Sequence, residues 1–581
     1  MQIVLAIVSF FAAVFLPGAI IYRLIWREKF RLSLFLVVSF LGSLFVNFWL
    51  IYALIASGFY TQAVVITLFG IEILWCVYLY RMFYKLPPLY IQDKSTLGFV
   101  ISALLLIYIV SKMLNPDIFY GWDAVVSWDR WATQWAQGEF ILNPSGYPQL
   151  YPMLLSLGYV ATQMFSSFQA IGGAIYWYFS LVGIGAAAFL CTNAETSYRA
   201  SIFGTVLGVV VYYVFFMLHH EFNVGYADAP VAMMILISAL CLLQVDFIES
   251  SNTKTNTESA LYLLIGAVAA GISAEIKQAG LFWCVVYVLG VFYLFWLHPR
   301  FVSKKIILYC ALIVAVLCLP WIIIAIYKKT ILHTNATNVD WVMDGIYFGA
   351  SKLERLIAAI TKYKAMSALF LLSLLGLTLK RRIFGFLGLF GFVYFLCWGM
   401  LLSYDMRNLQ GGMPLMAIAL SGVLCAYSAK ALILIKKVLC FGYQYMVLGL
   451  VVLAVFGSGI AYVYQDKILA KEYKRKMRLG GAETNQMLFE AMQEYGEKPV
   501  LTSNQLLQYV PAFDRGLYRH FSFEGRYGQE RLTNRIAEIE EKEFYILIPT
   551  NTIIYYESFF SQPNIRQINK NGTYELFLYT R

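Results

Sequence analysis

From Ile3 to Tyr464 the chain is a succession of apolar runs separated by shorter stretches that hold the charges and turn residues. Runs of roughly 18 residues or more, wound as helix, cross a hydrocarbon core about 30 Å thick. Strands that span a membrane are about ten residues long and alternate in polarity, so continuous runs exclude a barrel. The pattern predicts about fourteen spans. They fall near 3–25, 32–56, 62–84, 97–114, 168–191, 199–218, 230–247, 260–276, 279–297, 306–327, 362–379, 383–403, 411–430 and 441–464. The first run lacks a basic leader and a small-residue cleavage site, and is expected as a retained span.

After Gln465 the pattern changes. Helix-like stretches at Ala482–Tyr495 and Gln529–Glu541 alternate with strand-like ones at Pro499–Thr502, Phe544–Ile548 and Tyr574–Tyr579. The expected fold class is an all-α polytopic membrane bundle with a small C-terminal extracytoplasmic α/β domain. Its expected divisions are three N-terminal helices over 1–96, a transmembrane core over 97–464 with a large outer loop at 115–151, and the tail, 465–581.

Composition agrees: 60% of the 581 residues are hydrophobic and 13% charged, against about 25% charged in soluble domains. The nine cysteines lie in or at the ends of apolar runs and form no CxxC pair, so they read as small core residues. One set of interspan loops holds 18 Lys and Arg, the other 10. Basic residues are retained in the cytoplasm, so both termini are expected outside, with the chain multi-pass in the cell membrane. The net charge of +11 sits almost wholly in the spanning part. It is topological and gives no reason to expect nucleic acid. No phosphate-binding or dinucleotide fingerprint is present, which argues against ATP-driven transport by this chain alone.

The outer loop Asn115–Tyr151 contains Asp117, Asp123 and Asp129 and a tryptophan row, Trp128, Trp131 and Trp135, at helical spacing. Three indoles on one face suit the headgroup region and would hold the loop at a lipid entrance. Further polar groups are expected at the same membrane face: His219, His220 and Glu221 with Tyr226 and Asp228, Glu275 with Lys277, and Asp405 with Arg407. Charges at the apolar interior of a bundle persist mainly where they pair or act. Two readings follow, local ion pairs within each loop, or one polar cavity in which cations hold a phosphate and a carboxylate takes a proton. Histidine and carboxylate are also ordinary ligands, so His219, His220 and Glu221, with Asp228, are candidates for a divalent metal ion. Glu72, in the middle of the third span, is expected to be a protonated or paired structural acid.

The segments GWDAVVSWDRWATQWAQGEF, YPQLYPMLLSLGY, GYADAPVAM, ISAEIKQAGLF and YDMRNLQGGMPLM, in that order, resemble the GT-C class of membrane glycosyltransferases, of the ArnT and protein-mannosyltransferase-like kind. The resemblance runs from about Leu97 to Tyr464 and departs from the commonest pattern in its three extra early spans and in lacking an adjacent Asp-Glu pair in the loop. It implies transfer of a sugar from a polyprenyl-phosphate donor to a glycan, lipid or protein acceptor on the outer face, without a certain cofactor. Under that reading Asp123 is the general base, because Gly121 allows close approach and no basic residue lies nearby in sequence. Lys277 and Arg407 hold phosphate, Asp129 and Asp228 shape the acceptor side, and Trp128, Tyr226 and Asp405 line the site. A lipid-linked oligosaccharide flippase or other transporter is the alternative, although charges deep in several spans and internal symmetry would then be expected. An inactive enzyme-like scaffold is a third.

The sidedness is testable on intact cells. A cysteine in place of Ser503 is expected to react with a membrane-impermeant thiol reagent added outside, above the signal of the unsubstituted chain. Reaction only after lysis would reverse the topology.

Overall fold

The computed structural model describes residues 2–25, 32–81, 96–114, 119, 124–138, 147–163, 169–190, 198–212, 214, 225–249, 256–330, 350–403, 405–439, 482–502, 518–520, 528–537, 539–572 and 574–581. Its helices are α1 (Gln2–Val14), α2 (Leu16–Ile25), α3 (Leu32–Ala56), α4 (Gln62–Arg81), α5 (Thr96–Leu114), α6 (Arg130–Ala136), α7 (Leu150–Thr162), α8 (Gln169–Phe189) and α9 (Tyr198–Tyr212). They continue with α10 (Asp228–Glu249), α11 (Asn256–Ile276), α12 (Ala279–Leu297), α13 (Lys304–Thr330), α14 (Lys352–Lys362), α15 (Lys364–Ser373), α16 (Arg382–Leu401) and α17 (Met413–Leu439). Among the described residues eight helices are long and apolar enough to cross a membrane, or ten if two bent pairs each count as one span. That is fewer than the fourteen expected. The last expected span, 441–464, lies outside the described residues.

The first run is one of the bent pairs, α1 and α2 meeting at 45°. Pro17 has no N–H to return to the carbonyl of Ala13 four residues back. Asn47 of α3 takes its place, its Nδ2 donating to the carbonyls of Ala12 and Ala13 at 2.9 and 3.0 Å, while the Gly18 N–H turns to Ser43 Oγ at 3.0 Å. In an apolar surrounding a carbonyl left unpaired is costly, so the break and its repair come as a unit.

α10 lies on the inside, packed against α8, α11, α12 and α17, with its apolar length from Asp228 to Phe247 wholly buried. α4 and α13 lie at the periphery and expose Ile71, Leu74, Trp75 and Val77, and Leu308, Leu312, Val316 and Ile323. Surfaces this apolar would drive aggregation in water and suit acyl chains. Glu72 of α4 keeps Oε2 buried without a hydrogen-bond partner.

Beyond the bundle, strands β1 (Val500–Thr502), β2 (Tyr518–His520), β3 (Glu543–Pro549), β4 (Ile565–Lys570) and β5 (Tyr574–Thr580) form a sheet in the order β2-β1-β3-β5-β4. β1 runs parallel to β2 and β3, and β5 antiparallel to β3 and β4. Alternation along β3 sends Tyr545 and Leu547 to the face covered by α18 (Ala482–Tyr495), and Phe544, Ile546 and Ile548 to the face of Leu532 and Ile536 in α19 (Gly528–Ala537). The tail helices and three of the strands fall where the pattern put them. β2 and β4 were not expected, being short or largely polar.

The seam between α2 and α3 yields a stability test. A Cβ on Gly18 would stand 1.8 Å from the carbonyl oxygen of Ser39, whereas one on Gly70 meets nothing within 4 Å. Gly18→Val is expected to destabilise by about 1–3 kcal/mol. Gly70→Ala should be neutral or stabilise by up to about 1 kcal/mol. Unfolding of the purified protein in detergent measures both.

Candidate functional site

The site is assembled at the ends of three helical elements. α10 opens on Asp228, where an acid is favoured by the partial positive charge of exposed N–H groups. α11 ends at Ile276 and α12 begins at Ala279, which leaves Lys277 at the joint. Gly280 lets the two helices close there, since a Cβ would stand 2.2 Å from the Ser273 backbone. Between α16 and α17, Asp405 caps a 3-10 turn, Met406–Gly411, by accepting the Arg407 N–H at 2.9 Å.

The long-range pairing is specific. Lys277 Nζ forms an ion pair and hydrogen bond with Asp228 Oδ1, both side chains being largely buried. Arg407 donates from Nε to Asp405 Oδ2 at 2.7 Å and pairs with the same carboxylate through Nη2, while its guanidinium lies 4.6 Å from the ring centre of Tyr226. Burial alone would lower the proton affinity of Lys277, but Asp228 and the Tyr147 hydroxyl outweigh it and hold the ammonium above its ordinary range, against an opposing effect from Arg407. Burial pushes the Asp405 carboxyl up; the hydrogen bonds and charge of Arg407, with the charge of Lys277, hold it below the usual carboxylate value. These mutual influences join Asp228, Lys277, Asp405 and Arg407 in one cluster of two cations and two carboxylates. Tyr394 adjoins it, its hydroxyl donating to the Asn408 carbonyl at 2.8 Å.

Tyr147, which opens the YPQLY segment, was given no role of its own, and Tyr394 lies among many aromatics of a span with no pattern to mark it. Asp228, Lys277, Asp405 and Arg407, all expected at one membrane face, lie near one another, and Lys277 pairs with Asp228 and not with Glu275. Glu275 turns away, its Oε1 accepting the Trp321 N–H at 3.3 Å in α13. Asp405 and Arg407 do form the local pair. Asp228, expected to shape the acceptor side, holds the Lys277 ammonium.

The acidic loop differs more. Ala124–Asp129 is a single π-helical stretch leading into α6. Asp129 has no exposed surface, and Tyr159 of α7 donates its hydroxyl to Oδ1. Trp128, Trp131 and Trp135 are 3%, 8% and 0% exposed, so the expected headgroup anchor is corrected to an internal one. Trp128 meets Tyr147, Tyr151 and Trp131 edge-on at 5.6, 6.0 and 5.1 Å, and Trp135 donates to Gln149 Oε1 at 3.0 Å. Helical spacing identifies a shared face but does not say whether protein or lipid covers it. α7, buried along its whole length, is the partner. Asp117, Asp123, His219, His220 and Glu221 lie outside the described residues. Among the described residues no group of three or more His, Cys, Asp or Glu is placed to hold a metal ion.

A polytopic helical bundle with a tryptophan-bearing segment packed on α7 and charged groups gathered at helix ends is a fold that this chain shares with solved structures. The particular likeness is to ArnT. The crystal structure of ArnT from Cupriavidus metallidurans bound to undecaprenyl phosphate matches with a TM-score of 0.57, covering 83% of this chain and 98% of that one at 14% identity. Its apo state matches with a TM-score of 0.54, covering 83% and 97% at 13% identity. No family model and no curated protein matches the sequence. The shared property is the fold.

The buried pair can be tested as a unit. Lys277→Met leaves Asp228 buried without its ammonium and is expected to cost about 3–5 kcal/mol, with most of the loss recovered when Asp228→Asn is added. Chemical unfolding of the single and double variants in detergent gives the coupling. Additive losses would mean that the two side chains do not act as a pair.

Proposed function

We propose that the chain transfers a sugar from a polyprenyl-phosphate donor to a hydroxyl of a glycan, lipid or protein acceptor at the outer face of the cell membrane. The observation that carries this reading is the cluster in which Lys277 and Arg407, from different helical elements, are each aligned by a carboxylate, Asp228 and Asp405. Aligned cations suit a leaving phosphate because no orientation energy is required when charge develops. The acceptor oxygen attacks the anomeric carbon, the bond from that carbon to the carrier phosphate breaks, and the phosphate leaves with the electron pair. Asp123 takes the hydroxyl proton. Asp228 and Asp405 orient the cations, while Asp129 and Trp128 hold the loop that carries Asp123. A divalent metal at His219, His220 and Glu221 belongs to the same reading as a candidate only. The likeness to an ArnT structure that holds undecaprenyl phosphate supports a polyprenyl lipid as donor. The tail, taken as a domain on the same side, would guide the acceptor, and the full bundle of about fourteen spans would include the run at 441–464.

Two measurements on protein in lipid nanodiscs test this. Binding of undecaprenyl phosphate should weaken about tenfold in Arg407→Lys, which loses the planar fork, and more in Arg407→Ala. Asp123→Asn should keep that binding and lower transfer from a labelled polyprenyl-phosphate sugar by about 10² to 10⁴-fold. Wild-type transfer by Asp123→Asn would remove it as the base. Lipid movement between leaflets without transfer would favour the flippase.

A further inference from the structure

α14 lies where the sequence pattern predicts only a loop. Ser351 and Glu354 form a reciprocal capping box that starts it. It meets α15 at 101° and packs on α16, while α15 packs on α16 and α17, so α14 turns nearly at right angles to α15. At about 100° per residue its side chains divide into three strips. Leu356 and Ala359 turn inward, Ala359 being buried, and Glu354, Thr361 and Lys362 form an exposed polar strip. Leu353, Ile357 and Ile360 form the third strip and are 65%, 53% and 40% exposed. Three large aliphatic side chains in a row on a capped helix are costly in water. Apolar exposure continues onto the spanning part through Leu371, Leu372 and Leu375, and Lys352, Arg355 and Lys362 outnumber Glu354 on the helix.

We infer that α14 is an interfacial helix whose Leu353–Ile357–Ile360 strip is seated in the acyl region of one lipid leaflet, and that through it the membrane surface positions the Arg407-bearing turn. Continuity with the lipid-facing surface and a basic excess suited to phosphate headgroups select the bilayer as the occupant. The mechanical link can be followed by contact. Leu356 lies against Gly399 of α16, where a Cβ would stand 2.5 Å from Leu356 Cδ1. Tyr363, at the end of α14, packs on Trp398 with ring centres 5.7 Å apart. Trp398 Nε1 donates to the carbonyl of Asp405 at 3.0 Å, and the Asp405 carboxylate fixes Arg407. A helix seated in lipid therefore holds one end of a short chain of contacts, and the arginine turn holds the other. This inference rests on the membrane setting and not on the proposed chemistry.

The test uses the full chain in vesicles of phosphatidylethanolamine and phosphatidylglycerol that carry a photoreactive group on an acyl chain. Peptide mapping after irradiation is expected to find lipid adducts on Leu353, Ile357 or Ile360 and none on Glu354 or Thr361. Ile357→Glu should remove the adducts and raise hydrogen exchange of the amides of 405–412 by about tenfold, while Thr361→Glu should leave both unchanged. Lipid adducts on the exposed faces of α4 and α13 but none on Leu353, Ile357 or Ile360 would show that something other than acyl chains covers the strip and would overturn the inference. Unchanged exchange in Ile357→Glu would overturn the positioning role. Neither readout depends on transfer, so failure here and failure of the glycosyltransferase reading are distinguishable.

Discussion

The ion pair between Asp228 and Lys277 fixes the geometry on which the charged end of the bundle depends. Asp228 is the first residue of the inner helix α10, and Lys277 occupies the joint where α11 gives way to α12. Neither charge is stable alone in an apolar surrounding, so each constrains the element that carries the other. The α16–α17 turn joins the cluster through Arg407, and its ring contact with Tyr226 returns to the residues just ahead of α10.

Carboxylates here act on cations more than on solvent. A lysine or arginine left to itself samples many rotamers, and that freedom is lost when it binds a ligand. Asp228 and Asp405 remove much of it in advance. The same economy governs the acidic loop, where Asp129 is committed to Tyr159 and the indole row is packed into protein. α7 receives the loop and is itself held at the start of α4, where Tyr60 meets Ser156 at 2.7 Å and Gln62 reaches the Ala161 carbonyl at 3.0 Å.

Much of this was legible in the sequence because lipid imposes a length on helices. α3, α4, α8 and α10 to α13 lie close to their expected runs. Motif order also pointed to the fold shared with ArnT. Contacts made by residues distant in sequence were less legible. Glu275 and Lys277 stand two residues apart, a spacing that points side chains to different sides of a helix, and this disfavours their pairing, but only the packed bundle selects Asp228 from 49 residues away. The tryptophan row had the correct period and the wrong surroundings. α14 was missed because its charges mask an apolar strip, although Ser351 and Glu354 stand at capping-box spacing.

The buried indoles also have an optical consequence. Trp128 and Trp131 meet at 5.1 Å with their planes 83° apart, close enough for their excited states to mix and for the pair to act as one chiral chromophore. Its near-ultraviolet circular dichroism would depend on the loop remaining docked against α7, and separation of the two rings would erase it while leaving ordinary indole absorption in place. The chain thus carries an intrinsic, label-free gauge of the loop's posture, readable in detergent or in a bilayer.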